Sequence, residues 1–123
     1  MTLKRIRLEL ARNPEFPEGS PERGYDLIAP LTESGSLSAA EWRKTRDQCV
    51  VARFWADQNT TIGKLVRRPG GSWAFDYDPA RSNDDELGFR LNQHSFIPGE
   101  YVSFRESSGL LHTFRVASIE AVA

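Results

Sequence analysis

Residues 101–119, Tyr101-Val102-Ser103-Phe104-Arg105-Glu106-Ser107-Ser108-Gly109-Leu110-Leu111-His112-Thr113-Phe114-Arg115-Val116-Ala117-Ser118-Ile119, read as two strands folded back on each other. Side chains alternate across a strand with period two, so Val102 and Phe104 share one face, and His112, Phe114 and Val116 share another. The two apolar faces coincide only if an odd number of residues forms the connection. Ser107-Ser108-Gly109 is such a connection, with Gly109 supplying the left-handed residue of a three-residue turn. Phe104 then opposes His112, and Val102 opposes Phe114. Ile119 follows Val116 by three positions rather than two, which predicts a β-bulge near Ala117-Ser118.

The same alternation runs upstream. Ile6, Leu8 and Leu10 alternate with Arg5, Arg7 and Glu9, predicting a first strand over 3–10. Pro14, Pro17 and Pro21 then break regular structure, and Tyr25 to Ala29 reads as a second strand ended by Pro30. Ile62 to Arg68 and Trp73 to Tyr77 read as a hairpin around a type II turn at Pro69-Gly70. With Arg68 opposite Gly71, Val66 faces Trp73, Lys64 faces Phe75 and Ile62 faces Tyr77, so Ile62, Val66, Trp73, Phe75 and Tyr77 form the inner face. Asp76 to Glu86 reads as a polar surface loop, Gly88 to Leu91 as a short strand, and Pro98-Gly99 as a turn.

One helix interrupts the strands. In Leu37-Ser38-Ala39-Ala40-Glu41-Trp42, the Ser38 hydroxyl can accept from the Glu41 amide and the Glu41 carboxylate can reach back to the Ser38 amide. Leu37 and Trp42 occupy the two staple positions, so a helix begins at Ala39. Gln48 to Trp55 turns β-branched and aromatic, which favours a strand; a single helix over 39–56 is the competing reading. The expected class is mainly β: a small antiparallel β-barrel or strongly coiled sheet of six to seven strands with one short capping helix, as one domain over 1–123. A two-sheet sandwich with one helix is the alternative.

Composition narrows the chemistry. The chain has 123 residues, 39% hydrophobic and 27% charged, which suits one modest core. Sixteen Lys and Arg against seventeen Asp and Glu give a net charge of -1, which does not favour a general nucleic-acid or anionic-membrane binder, although a local patch can still bind. Arg outnumbers Lys thirteen to three, a bias suited to planar carboxylate or phosphate recognition. Cys49 is the single cysteine, so an intrachain disulfide and a multi-thiolate zinc site are excluded. With no apolar leader and no membrane-length stretch, a cytoplasmic setting is the expectation.

No pattern marks a catalytic centre. Cys49 sits beside Val50 and Val51, which reads as burial rather than nucleophilic chemistry. His94 and His112 lack metal-ligand spacing, and Asp84-Asp85-Glu86 reads as solvated loop, so no metal or catalytic residue is assigned. His112 reads as a half-buried ring at a barrel mouth, while His94, just before a turn, is better placed for a ligand. The binding candidates are Arg67, Arg68, Trp73, His94 and His112, the first three at a hairpin tip where guanidinium groups could meet phosphate and Trp73 could stack a base. Phe96-Ile97-Pro98-Gly99-Glu100-Tyr101-Val102 locally resembles the Pro-Gly-x-Tyr segment that opens a barrel strand in flavin-dependent ferredoxin reductases. The Arg-x-Tyr-Ser stretch that contacts flavin in that family has no counterpart here, and no cofactor is demanded.

The expected function is a small non-catalytic binding or protein-interaction domain, self-associating as a homodimer or taking an unidentified protein or small anionic ligand. The alternatives are anion or single-stranded nucleic-acid binding at the Arg-rich tip, or a small enzyme using His94 and His112.

Overall fold

Ile6, Leu8 and Leu10 are buried on the inner face of the first strand, while Arg5, Arg7 and Glu9 point outward. The structure is a computed structural model that describes residues 2–67, 73–77, 86–88, 95–105 and 111–122. Among the described residues the strands are, in chain order, β1 (Thr2–Leu10), β2 (Ser20–Leu31), β3 (Val50–Trp55), β4 (Thr61–Arg67), β5 (Trp73–Asp76), β6 (Glu86–Gly88), β7 (Tyr101–Arg105) and β8 (Leu111–Ala121). A seven-residue helix, α1 (Ala39–Thr45), continues into a 3-10 turn at Arg46–Gln48. The strands form one antiparallel sheet in the order β6-β5-β4-β3-β2-β1-β8-β7. This is the expected class: mainly β, a strongly coiled antiparallel sheet with one short helix.

Ring contacts show how strongly the sheet curls. Tyr25 on β2 lies 5.3 Å from Phe75 on β5, three strands away in the ladder order, and 5.2 Å edge-on to Phe114 on β8. Strands about 4.8 Å apart in a flat sheet could not bring those rings together, so the inner face wraps around a common core. The edge strands β6 and β7 approach each other, and among the described residues no ladder joins them. The result is a curled half-barrel.

The final hairpin has the predicted register, with Phe104 opposite His112 and Val102 opposite Phe114. The bulge also lies where expected: Arg7 pairs with Ser118 and Leu8 with Val116, so Ala117 is skipped and Ile119 returns opposite Ile6. The 107–109 connection lies outside the described residues.

Three local expectations need correction. The β4–β5 ladder pairs Leu65 with Phe75 and Arg67 with Trp73, one residue away from the register that the Pro69-Gly70 turn suggested. This shift buries Leu65 beside the aromatics and leaves Ile62 and Lys64 outside, avoiding the cost of turning an ammonium inward. Residues 68–72, including that turn, lie outside the described residues.

Strand β2 runs through Pro30 instead of stopping there. Its ladder with β3 ends at Leu27, and the Pro30 carbonyl accepts from the Ser38 amide. A residue's N and O point to the same side of a strand, so the missing proline donor faces away from β1 and costs no ladder bond. The Ser38 hydroxyl does accept from the Glu41 amide at 3.3 Å, but the Ser38 amide is committed to Pro30, so only that half of the expected capping box forms. Finally, the short strand near Gly88 covers Glu86–Gly88, and Phe89 to Leu91 lie outside the described residues.

Helix α1 closes one end of the half-barrel. Trp42 is buried, donates its indole N–H to the Leu65 carbonyl at 2.9 Å and meets Trp73 edge-on at 5.6 Å. Because β3 starts immediately after this helix, the 39–56 single-helix reading is excluded.

Candidate functional site

The two ends of the half-barrel carry different chemistry. At the end opposite α1, the interior is lined by Arg23, Arg53, Trp55 and His112. Arg23 pairs with Trp55 across β2 and β3, and its guanidinium lies 4.3 Å from the Phe16 ring centroid and 3.0 Å from the Ser20 hydroxyl. Arg53 lies 4.3 Å over Trp55, and His112 is 5.6 Å from the same ring and 6.3 Å from Phe114. His112 is therefore a half-buried, ring-packed group at the mouth. His94 lies outside the described residues, as do Asp84 and Asp85.

Cys49 stands at the other end, just before β3, six residues from Trp55. At strand rise this separates Cys49 from the His112 neighbourhood by about 20 Å, so the fold does not pair the thiol with the His112 imidazole. The thiol is buried, which pushes its pKa above the ordinary value; a Thr45 hydroxyl contact at 3.7 Å and the Lys64 charge work weakly the other way. A protonated, enclosed thiol is a poor nucleophile. Among the described residues, no three His, Cys, Asp or Glu side chains gather as a metal site.

The helix end is apolar inside and cationic outside. Trp73 is only 3% exposed, so its ring is part of the core and is not offered to a base. Arg67 lies beside it, its guanidinium 5.6 Å from the Trp73 centroid, and Arg46 takes the matching position 5.5 Å from Trp42. The two indoles touch each other, so Arg46, Trp42, Trp73 and Arg67 form a continuous stack with a cation at either end. Arg68 lies outside the described residues.

Between α1, the 3-10 turn and β4 runs an open groove of about 490 Å³. Arg43, Lys44, Arg46 and Lys64 line it, with Asp47 as the only carboxylate among the described residues that line it. Lys44 reaches Glu41 at 3.7 Å and Lys64 reaches Asp47 at 3.9 Å, while Asp76 stands opposite Lys64 in the ladder. These long, exposed ion pairs are weak and give way to a better anion at little cost. Arg67 follows Val66 at the groove's rim. The groove brings in Arg43, Lys44 and Arg46, none of which the sequence singled out as a binding candidate. Their spacing around Trp42 was the available signal, since residues at 43 and 46 share a helical side.

No family model, no curated protein and no solved structure matches the chain. Among the described residues, no helix is long and apolar enough to cross a membrane.

Proposed function

We propose that the protein is a small non-catalytic binding domain of the cytoplasm that holds a phosphate-bearing chain against the helix-end groove. The observation that carries this reading is the collection of Arg43, Lys44, Arg46 and Lys64 around a groove whose described lining residues include one carboxylate, on a chain whose net charge is negative. Local concentration of positive charge against the overall balance favours an anionic ligand there over the rest of the surface. The ring contacts of Arg46 and Arg67 hold two guanidinium groups in place, reducing the ordering entropy that binding must overcome. With both indoles in the core, recognition runs through phosphate charge rather than base stacking, so it is indifferent to sequence. A reducing compartment suits a lone buried thiol.

Fluorescence anisotropy with a labelled oligothymidylate tests this reading directly. Binding should weaken steeply with salt, and the R43Q/R46Q double variant should lower the log–log slope by about 1.4, at roughly 0.7 per lost single-strand phosphate contact. An affinity that is undetectable at low salt, or a slope unchanged in the double variant, removes the groove as a phosphate site.

A further inference from the structure

A second surface is independent of that groove. On the outer face of the sheet, Ala52 stands opposite Ile62, and Ile28 and Val50, each next to a residue of the last β2–β3 pair Leu27–Val51, line the same depression. These four apolar side chains floor this depression of about 400 Å³. Ile62, the second residue of β4, is 62% exposed, the most exposed of the large apolar side chains among the described residues. Arg5 and Glu120 border the floor side by side, paired across β1 and β8.

We propose that this face is the contact between two copies of the chain related by a twofold axis. A twofold interface presents the same patch on both subunits, so its charges must complement themselves. The rim meets that requirement: Arg5 and Arg7 are balanced by Asp26 and Glu120 around the apolar floor. Arg7 is occupied by Asp26 at 2.9 Å and by the Phe54 ring at 4.1 Å, and so acts as a fixed wall. Arg5 and Glu120 form the adjustable pair, each copy's Arg5 meeting the partner's Glu120. A polyanion or a strongly basic partner would meet like charge on half of this rim. An added strand is also poorly served, because the patch is a sheet face and its backbone groups are already engaged on both sides. The central contact is apolar and shielded, as stable interfaces require.

Sedimentation velocity on the purified full chain, with circular dichroism to confirm folding, decides the matter. The parent should sediment as a dimer at concentrations up to about 200 µM. Ile62→Asp places a charge on an already exposed site, so it should leave the fold intact and weaken the dimer at least about tenfold. Arg5→Glu should weaken it by repulsion with Glu120, and R5E/E120R should restore it. A parent that stays monomeric throughout overturns the proposal. So does a dimer indifferent to both Ile62→Asp and Arg5→Glu. Oligonucleotide binding by the Ile62→Asp monomer would show the phosphate groove surviving without the dimer, so either reading can fail alone.

Discussion

The two ends of the half-barrel handle arginine in opposite ways. At the helix end, Arg46 and Arg67 lie outside an indole pair whose rings complete the core. At the mouth, Arg23 and Arg53 occupy inner-face positions of β2 and β3, next to Trp55. A buried indole with a satisfied N–H seals an end, leaving cations only the outer side. Without a helix over it, the mouth accepts guanidinium groups against aromatic faces, half-buried rather than fully solvated. The same residue pair, Arg on Trp, is thus peripheral to packing at one end and part of the lining at the other.

Removing the seal should produce the largest effect. Trp42→Ala leaves a cavity against Trp73 and removes the donor to Leu65, and should cost about 3–5 kcal/mol in urea unfolding. Trp55→Ala at the mouth should cost clearly less, about 1–2 kcal/mol, since the ring is half-buried. Equal losses at the two sites would abolish the distinction between sealed and open ends.

Trp42→Phe isolates one component of the seal. The ring volume is largely kept while the Leu65 carbonyl loses its indole donor, so a loss of about 1–3 kcal/mol is expected by the same measurement. A near-neutral result would assign the seal to packing alone. Gly63→Ala probes the path toward the mouth: an added Cβ would lie 2.6 Å from both the Asp76 carbonyl and the Tyr77 ring. Because backbone must move, destabilisation of about 1–3 kcal/mol should follow, whereas an unchanged midpoint would mean that β4 and β5 separate freely.

The smallest effect is electrostatic and belongs to the helix end. Burial raises the Cys49 pKa above its ordinary value of 9.0, so folding favours the protonated thiol. That contribution is complete below the unfolded value and is lost as pH rises through the folded one. Stability should therefore fall more steeply above pH 9 in the parent than in Cys49→Ala, by parallel urea titrations. Parallel curves would contradict a thiol held protonated by the core.

Much of this architecture was readable from short stretches. The β7–β8 register followed from Val102, Phe104, His112, Phe114 and Val116 because only one phase aligned their apolar rows. The Ala117 bulge followed from a three-residue step between Val116 and Ile119. The β4–β5 hairpin offered no such uniqueness. Ile62 and Val66 form one apolar row, Leu65 forms the other with Gly63, and Pro69-Gly70 drew the phase toward the first. Pro30 misled for a related reason: its restriction is local, whereas its tolerance depends on which neighbour its nitrogen faces. The groove that brings Arg43, Lys44 and Arg46 up to Lys64 was not legible in the sequence, because its two walls lie on segments about twenty residues apart.

Alternation and cap chemistry depend on residues within a few positions of one another, and here they were enough to define β1, the start of α1 and the final hairpin. Choosing between two apolar rows is a different problem, because the winner depends on burial against strands distant in sequence. Leu65 faces inward because Phe75 and Trp42 await it there, and Ile62 is left on the outside by the same choice. The apolar outer patch is a consequence of that selection, and so is the outward Lys64 that completes the groove begun by Arg43, Lys44 and Arg46: both arise where the curled sheet brings separate segments together.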